Sequence, residues 1–108
     1  MDFTYTGVVT NVVDGDTVDA ILDLGFNISH KVRMRLNFVN APEMKGASKE
    51  AALVAKKFLE DKLYNKKSIL VSHKKDKYGR WLVTIYSDTL YKSVNQELID
   101  NGMAEKYE

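Results

Sequence analysis

The stretch from Asp14 to Glu43, DGDTVDAILDLGFNISHKVRMRLNFVNAPE, decides how this chain folds. It opens on Asp14-Gly15-Asp16, and Asp-Gly pairs favour tight reversals. From Thr17 to Leu24 the residues alternate. Val18, Ala20, Leu22 and Leu24 take one face, and Thr17, Asp19, Ile21 and Asp23 the other. Successive side chains of a strand point to opposite faces, so this pattern reads as a half-buried strand. Gly25-Phe26-Asn27 makes the next reversal. Lys31 to Val39 alternates again, with Val32, Met34, Leu36 and Phe38 inward and Lys31, Arg33 and Arg35 outward. Arg35 is therefore expected opposite the core, available to a ligand. Pro42 is the only proline. It has no N–H to give to a ladder, so the strand ends before it and Ala41 is held extended.

Working outward, Val8 to Val13 is β-branched and apolar and forms a strand entering the first turn. Downstream, Ser48 to Tyr64 has helical period. Ala51, Val54, Ala55, Phe58 and Leu59 share one face, Lys49, Glu50, Lys56, Lys57 and Glu60 the other. Ser48 is expected to cap its start. Lys67–Ser72 and Trp81–Tyr86 read as two more strands, joined by a basic turn at 74–80 where Gly79 suits a positive φ. Ser93-Val94-Asn95-Gln96 fits a capping box, and Gly102 closes the short helix that runs through Ile99. The order is three strands, a helix, two strands and a helix. It predicts a mainly β chain: a five-stranded barrel of the OB type, one helix between strands 3 and 4, and a short helix near the C-terminus. Order alone also admits a different α+β packing.

Bulk composition narrows the function classes. At 108 residues, 44% hydrophobic and 29% charged, the chain reads as one ordinary globular domain over 1–108. It has no cysteine, which removes disulfides and thiolate metal sites and leaves the redox compartment open. The N-terminal residues Asp2 to Tyr5 lack the features of a signal peptide, and no apolar run reaches membrane-spanning length. No membrane partner is expected, and localisation stays open. No heptad pattern or apolar patch calls for a second subunit, so a monomer is expected. His30 and His73 have no second ligand at zinc spacing.

The net charge of +1 argues against heavy coating of nucleic acid, but its distribution is uneven. Lys31, Arg33 and Arg35 line one strand face, and Lys74, Lys75, Lys77 and Arg80 crowd one turn. Such patches can track a phosphate backbone, and they are equally compatible with solvated faces. Carboxylate oxygens from Asp16 and Glu43, with the carboxamide of Asn40, suit a hard cation. Guanidinium groups from Arg35 and Arg80 suit a phosphate. Together these are the requirements of metal-assisted phosphodiester cleavage. Each residue also has a structural reading. Asp14 and Asp16 fit a turn, Arg35 fits a cross-strand pair with Asp19 or Asp23, and Arg80 fits stacking on Trp81 or Tyr78.

Five pieces occur in order: Val12-Val13-Asp14-Gly15-Asp16-Thr17, Arg35-Leu36, Val39-Asn40-Ala41-Pro42-Glu43, Asp76-Lys77-Tyr78-Gly79-Arg80 and Val94-Asn95-Gln96-Glu97-Leu98. Together they resemble the staphylococcal nuclease (thermonuclease) family over nearly the whole chain. The resemblance implies an OB-fold barrel that cleaves DNA and RNA without sequence specificity, uses Ca²⁺ and leaves 3′-phosphorylated products. It places Asp16, Asn40 and Ala41 at the metal and Glu43 at the attacking water. Arg35 and Arg80 would hold the scissile phosphate, with Lys77 and Tyr78 along the bound nucleotide. Tyr107 stands near the family's base-stacking tyrosine, with its register slightly shifted.

This chain departs from the family in three places. Asn40 replaces a ligating aspartate, so weaker Ca²⁺ binding or another divalent cation is expected. Ala41 replaces a threonine but retains the carbonyl. The chain stops at Glu108, where many relatives continue into a helix that packs on the barrel, so lower stability or uncovered apolar surface is expected. Proteins of this family are often secreted. The competing reading is an OB module that grips single-stranded nucleic acid without cutting it.

Overall fold

The apolar run at Val8–Val13 is the inner part of a longer strand, β1 (Phe3–Asp14), in a computed structural model that describes residues 2–87 and 90–107. β2 (Thr17–Asp23), β3 (Ser29–Leu36), β5 (Lys67–Lys75) and β6 (Trp81–Tyr86) join it in a closed barrel of order β1-β2-β3-β6-β5. Two short strands, β4 (Val39–Asn40) and β7 (Glu105–Lys106), pair beside the barrel. Helix α1 (Lys49–Leu63) lies between the third and fourth barrel strands, and α2 (Val94–Asp100) follows the fifth. The mainly β, five-stranded architecture expected from element order is the one observed.

β1 serves two neighbours, with Thr6 opposite both Asp23 and Ile69. Register shifts between Val9 and Asn11 and between Val12 and Asp14 bend it around the barrel. Closure comes from a short parallel seam of β3 on β6, pairing Met34 with Trp81, Arg35 with Leu82 and Leu36 with Val83. Beyond that seam the expected alternation breaks. β3 ends at Leu36, and Phe38 adopts φ 53°, which turns the chain. Val39 is consequently fully buried, whereas Phe38 is partly buried.

The seam is locked by Asn95, a fully buried polar residue on α2. Its Oδ1 accepts from Ile85 N–H at 3.0 Å, and its Nδ2 donates to Val83 O at 2.9 Å and Asn37 O at 3.1 Å. One carboxamide therefore joins α2, β6 and the turn after β3. The expected ends of α2 hold: Ser93 Oγ accepts from Gln96 N–H at 3.1 Å. Gly102 at φ 70° donates its N–H to Ile99 O, and Met103 N–H reaches Leu98 O.

The buried face of α1 is Ala52, Ala55, Leu59 and Leu63, rotated from the expected Ala51–Val54–Ala55–Phe58–Leu59 stripe. Ala51 and Val54 face outward, and Phe58 only flanks the core. Ala55, common to both stripes, makes a close approach to the first turn. A Cβ on Gly15 would lie 2.7 Å from Ala41 Cβ and 2.8 Å from Ala55 Cβ, so only small residues allow helix and turn to come this near. Ser48 does not cap the helix; its hydroxyl donates to Glu43 O at 2.7 Å and is 2.9 Å from Lys45 O, bracing the preceding loop. α1 covers one end of the barrel, where Ala55, Leu59 and Leu63 join Val9, Val18, Leu36 and Ile85. Among the described residues no helix is long and apolar enough to cross a membrane.

Two substitutions probe this frame. Asn95→Ala orphans the Ile85 N–H inside the core, while Val83 O keeps the Asn37 N–H at 2.8 Å, and is expected to cost about 2–3 kcal/mol in urea unfolding. A loss no greater than that of the surface change Gln96→Ala would refute the lock. Gly15→Ala forces helix and turn apart and is expected to cost roughly 1–3 kcal/mol. An unchanged denaturation midpoint would show that the approach is not tight.

Candidate active site

Asp16 is the first residue after the close approach at Gly15, and its main chain is tied to the end of β3. Leu36 N–H donates to Asp16 O at 2.8 Å. Asp14 Oδ1 accepts from Asp16 N–H at 3.1 Å, the side-chain turn expected of this tripeptide. The Asp16 carboxylate is then held from three sides. Thr17 Oγ1 donates to Oδ1 at 3.1 Å, Ala41 N–H donates to Oδ2 at 3.2 Å, and an Arg35 guanidinium nitrogen stands 3.6 Å from Oδ2. Pro42 explains Ala41: the loop is stiff where that N–H is delivered.

Arg35 was expected to stand free on the outer face, and here the structure differs. It is only 9% exposed. β7 pairs with β4, placing Lys106 opposite Val39, and Tyr107 N–H donates to Phe38 O at 2.7 Å. The Tyr107 ring is thereby laid over Arg35, whose guanidinium carbon is 5.1 Å from the ring centroid. A planar cation between a ring and a carboxylate is well ordered before any ligand arrives. Two residues back along β3, Arg33 is satisfied differently: its Nε lies 2.7 Å from Asp19 Oδ1. That bond, with help from Asn11, holds the Asp19 carboxyl below its usual range. Arg35 therefore pairs with Asp16, and Asp19 is taken by Arg33.

The electrostatics of the pair Asp14 and Asp16 are out of balance. Burial pushes the Asp16 carboxyl above its ordinary value of 3.8, and the neighbouring Asp14 carboxyl pushes it further. The Ala41 N–H and the Arg35 charge oppose the rise without cancelling it. The ionised form of Asp16 is therefore disfavoured in the site as it stands, chiefly because the carboxyl is buried. Among the described residues no three carboxylate or imidazole groups form a cluster. Two neighbouring carboxylates without a third acidic or imidazole group suit a hard, largely hydrated cation rather than a closed cage of protein ligands. Asn40 and Ala41 line an adjacent cavity of about 300 Å³ against Gly102–Glu105.

The other expected site residues lie outside this cluster. Glu43 has a side chain 73% exposed and an oxygen 3.7 Å from Lys45 Nζ. Arg80, Lys77 and Tyr78 form a second group on the β5–β6 turn. There Asp76 Oδ1 accepts from the N–H groups of Tyr78 and Arg80, both at 2.9 Å, and Asp76 Oδ2 takes Arg80 Nε at 2.8 Å. Burial raises the Asp76 carboxyl, but these donors outweigh it and the net displacement is downward. The Arg80 guanidinium and the Lys77 ammonium each lie 5.3 Å from the Tyr78 centroid. The stacking of Arg80 on Tyr78 read from the sequence is therefore present alongside any ligand role. Sequence reasoning missed two contributors: Asp14, beyond its turn role, and Asp76, which aims Arg80. The only signal for either was an acid within two to four residues of an expected site residue.

Residues 33–108 match the family described as staphylococcal nuclease homologue. The chain is 31% identical over 108 residues to Protein ParB of Escherichia coli, covering 94% of this chain and 56% of that protein. It is 26% identical over 110 residues to the micrococcal nuclease of Shigella flexneri, covering 95% and 59%. An uncharacterized endonuclease of Haemophilus influenzae is 30% identical over 99 residues, covering 92% and 51%. The chain thus spans between 51% and 59% of the length of these relatives.

The disfavoured Asp16 charge gives a pH prediction. A raised Asp16 pKa contributes stability that is full below the ordinary value of 3.8 and is lost as pH rises through the folded value. In chelator, the wild type should therefore lose melting temperature relative to Asp16→Asn as pH rises from about 4 to 7. Parallel melting curves for the two proteins across that range would contradict the assignment.

Proposed function

The chain belongs to the staphylococcal nuclease homologue family, and from that premise we propose that it is a metal-dependent, sequence-nonspecific nuclease acting on DNA and RNA. One observation supports this reading: a buried, pre-ordered Arg35 guanidinium beside the Asp16 carboxylate, with the Asp14 carboxylate next to it. A cation and a guanidinium side by side are what a phosphodiester needs, because charge builds on its non-bridging oxygens during attack.

Asp16, with Asp14 behind it and oxygens of Asn40 and Ala41 beside it, would hold the metal. Ca²⁺ is the leading candidate, and another divalent cation is the alternative given the lost charge at Asn40. When bound, the ion supplies charge neutralisation and polarises a phosphoryl oxygen. Arg35 enters as a fixed donor with little ordering cost, since Tyr107 and Asp16 already hold it. Arg80 is aimed by Asp76 from the exposed turn and closes on the phosphate from the second side. Glu43 leaves Lys45 to take a proton from the attacking water. The 5′ oxygen then leaves with the bonding electron pair, and the 3′ phosphate remains. Lys77 and Tyr78 contact the neighbouring nucleotide by charge and stacking.

A second reading, an OB module that binds single strands without cutting, is favoured by Asn40 and by the Glu43–Lys45 contact. Cleavage of a fluorescent single-stranded oligonucleotide in Ca²⁺, Mg²⁺ or chelator separates the two. Metal-dependent cutting is expected, with Glu43→Gln lowering kcat by ~10³-fold and leaving KM within about threefold. Arg35→Lys should lose a similar factor, because an ammonium cannot make the planar contact. Binding without cutting in every metal would establish the binding module instead.

A further inference from the structure

α1 covers only one end of the barrel, and the opposite end is open. The start of β1, the end of β2, the start of β3, the end of β5 and the start of β6 meet there around a cavity of about 470 Å³. Met34 and Leu22 make a buried floor, with Tyr5 and Val32 partly buried beside them. Phe3 and Trp81 rise at the rim, and Trp81 is 42% exposed. No carboxylate lines this cavity, whereas His30, His73 and Lys74 do. Lys75 Nζ stands 4.7 Å from the centroid of the Trp81 ring. Trp81 directly follows Arg80, so the cavity continues from the basic turn.

We infer that this barrel mouth is a stacking subsite that receives a nucleobase of a single-stranded substrate beyond the scissile phosphate, with Trp81 as its platform and Lys74 and Lys75 on the flanking phosphates. The inference rests on the nuclease reading for its substrate class. The volume is within the range that holds a small ligand, and an apolar floor with an aromatic and cationic rim matches a planar base on a polyanion. An apolar peptide would give the rim ammonium groups no counter-charge. A base stacked on Trp81 replaces exposed ring surface while its phosphates meet the ammonium groups. The subsite would favour longer single strands over dinucleotides and over paired duplex, whose bases are not free to enter.

Trp81 is the only tryptophan, so its fluorescence reports on this place alone. In chelator, a single-stranded oligonucleotide of about twelve nucleotides, within the span of OB-fold sites, is expected to quench Trp81, and a duplex of equal length is not. With metal, the ratio of kcat/KM for that oligonucleotide to kcat/KM for a dinucleotide should fall about tenfold in Trp81→Ala, through KM. Trp81→Phe should restore it, and circular dichroism of both variants checks the fold. Cleavage with no quenching and an unchanged ratio would overturn the subsite while leaving the nuclease standing. Quenching without cleavage in any metal would support the subsite and remove the nuclease. Quenching by laurate or an apolar peptide, with none by the oligonucleotide, would overturn the nucleobase as occupant.

Discussion

The parallel seam between β3 and β6 is the constraint on which the rest of the molecule depends. A five-stranded sheet of this length closes only if its first-formed hairpins are brought round to meet, and the seam that does so has three paired positions. Such a short ladder between strands distant in sequence has a large loop-closure cost for few backbone bonds. Asn95 compensates by bonding Val83, Ile85 and Asn37 from one buried carboxamide. The same seam sets the functional geometry. It puts Arg35 level with Leu82 on β6, two residues beyond Arg80. The seam thereby fixes the β3 end that carries Arg35 relative to the strand that follows Arg80.

Around that seam the two arginines are prepared in different ways. Arg35 is buried, clamped between Asp16 and the Tyr107 ring, so its orientation precedes any ligand. Arg80 sits on an exposed turn whose shape is imposed by a single carboxylate, Asp76, acting on two backbone N–H groups and on the guanidinium itself. One guanidinium is thus set by burial and distant contacts, the other by its own turn. The acidic side is arranged oppositely. Burial raises the Asp16 carboxyl, and the neighbouring Asp14 carboxyl raises it further, so its charge is disfavoured in the fold. A cation bound there, as proposed, would stabilise that charge and so the fold.

Much of this was legible in the residues. Alternation at Thr17–Asp23 and Lys31–Leu36 gave the strands, because a two-residue period survives whatever packs above it. Ser93 and Gly102 marked the ends of α2, because caps act within one turn. The helix face of α1 was less legible. Its apolar residues admit two overlapping stripes, and the choice between Ala52 and Val54 is made by packing against the rest of the fold, which the helix's own period does not contain. Phe38 was read as inward because nothing local announces its positive φ. Asn95 was seen within a cap motif, and its burial could not be read from a polar residue on a short helix.

By itself the sequence determined the element order, the barrel class, the turns that carry the acids, and the identity of the residues a phosphate and a hard cation would need. Those properties are local: period, caps, glycine and proline positions, and residue chemistry. Only the tertiary structure decided which of them meet. It joined Asp16 to Arg35 rather than leaving Arg35 to Asp19, covered Arg35 with Tyr107 from the far end of the chain, left Glu43 with Lys45, and opened the barrel mouth at Trp81. Each is a contact between residues distant in sequence or a choice among several local partners. Such choices are made by barrel closure and packing, which no single stretch of the chain contains.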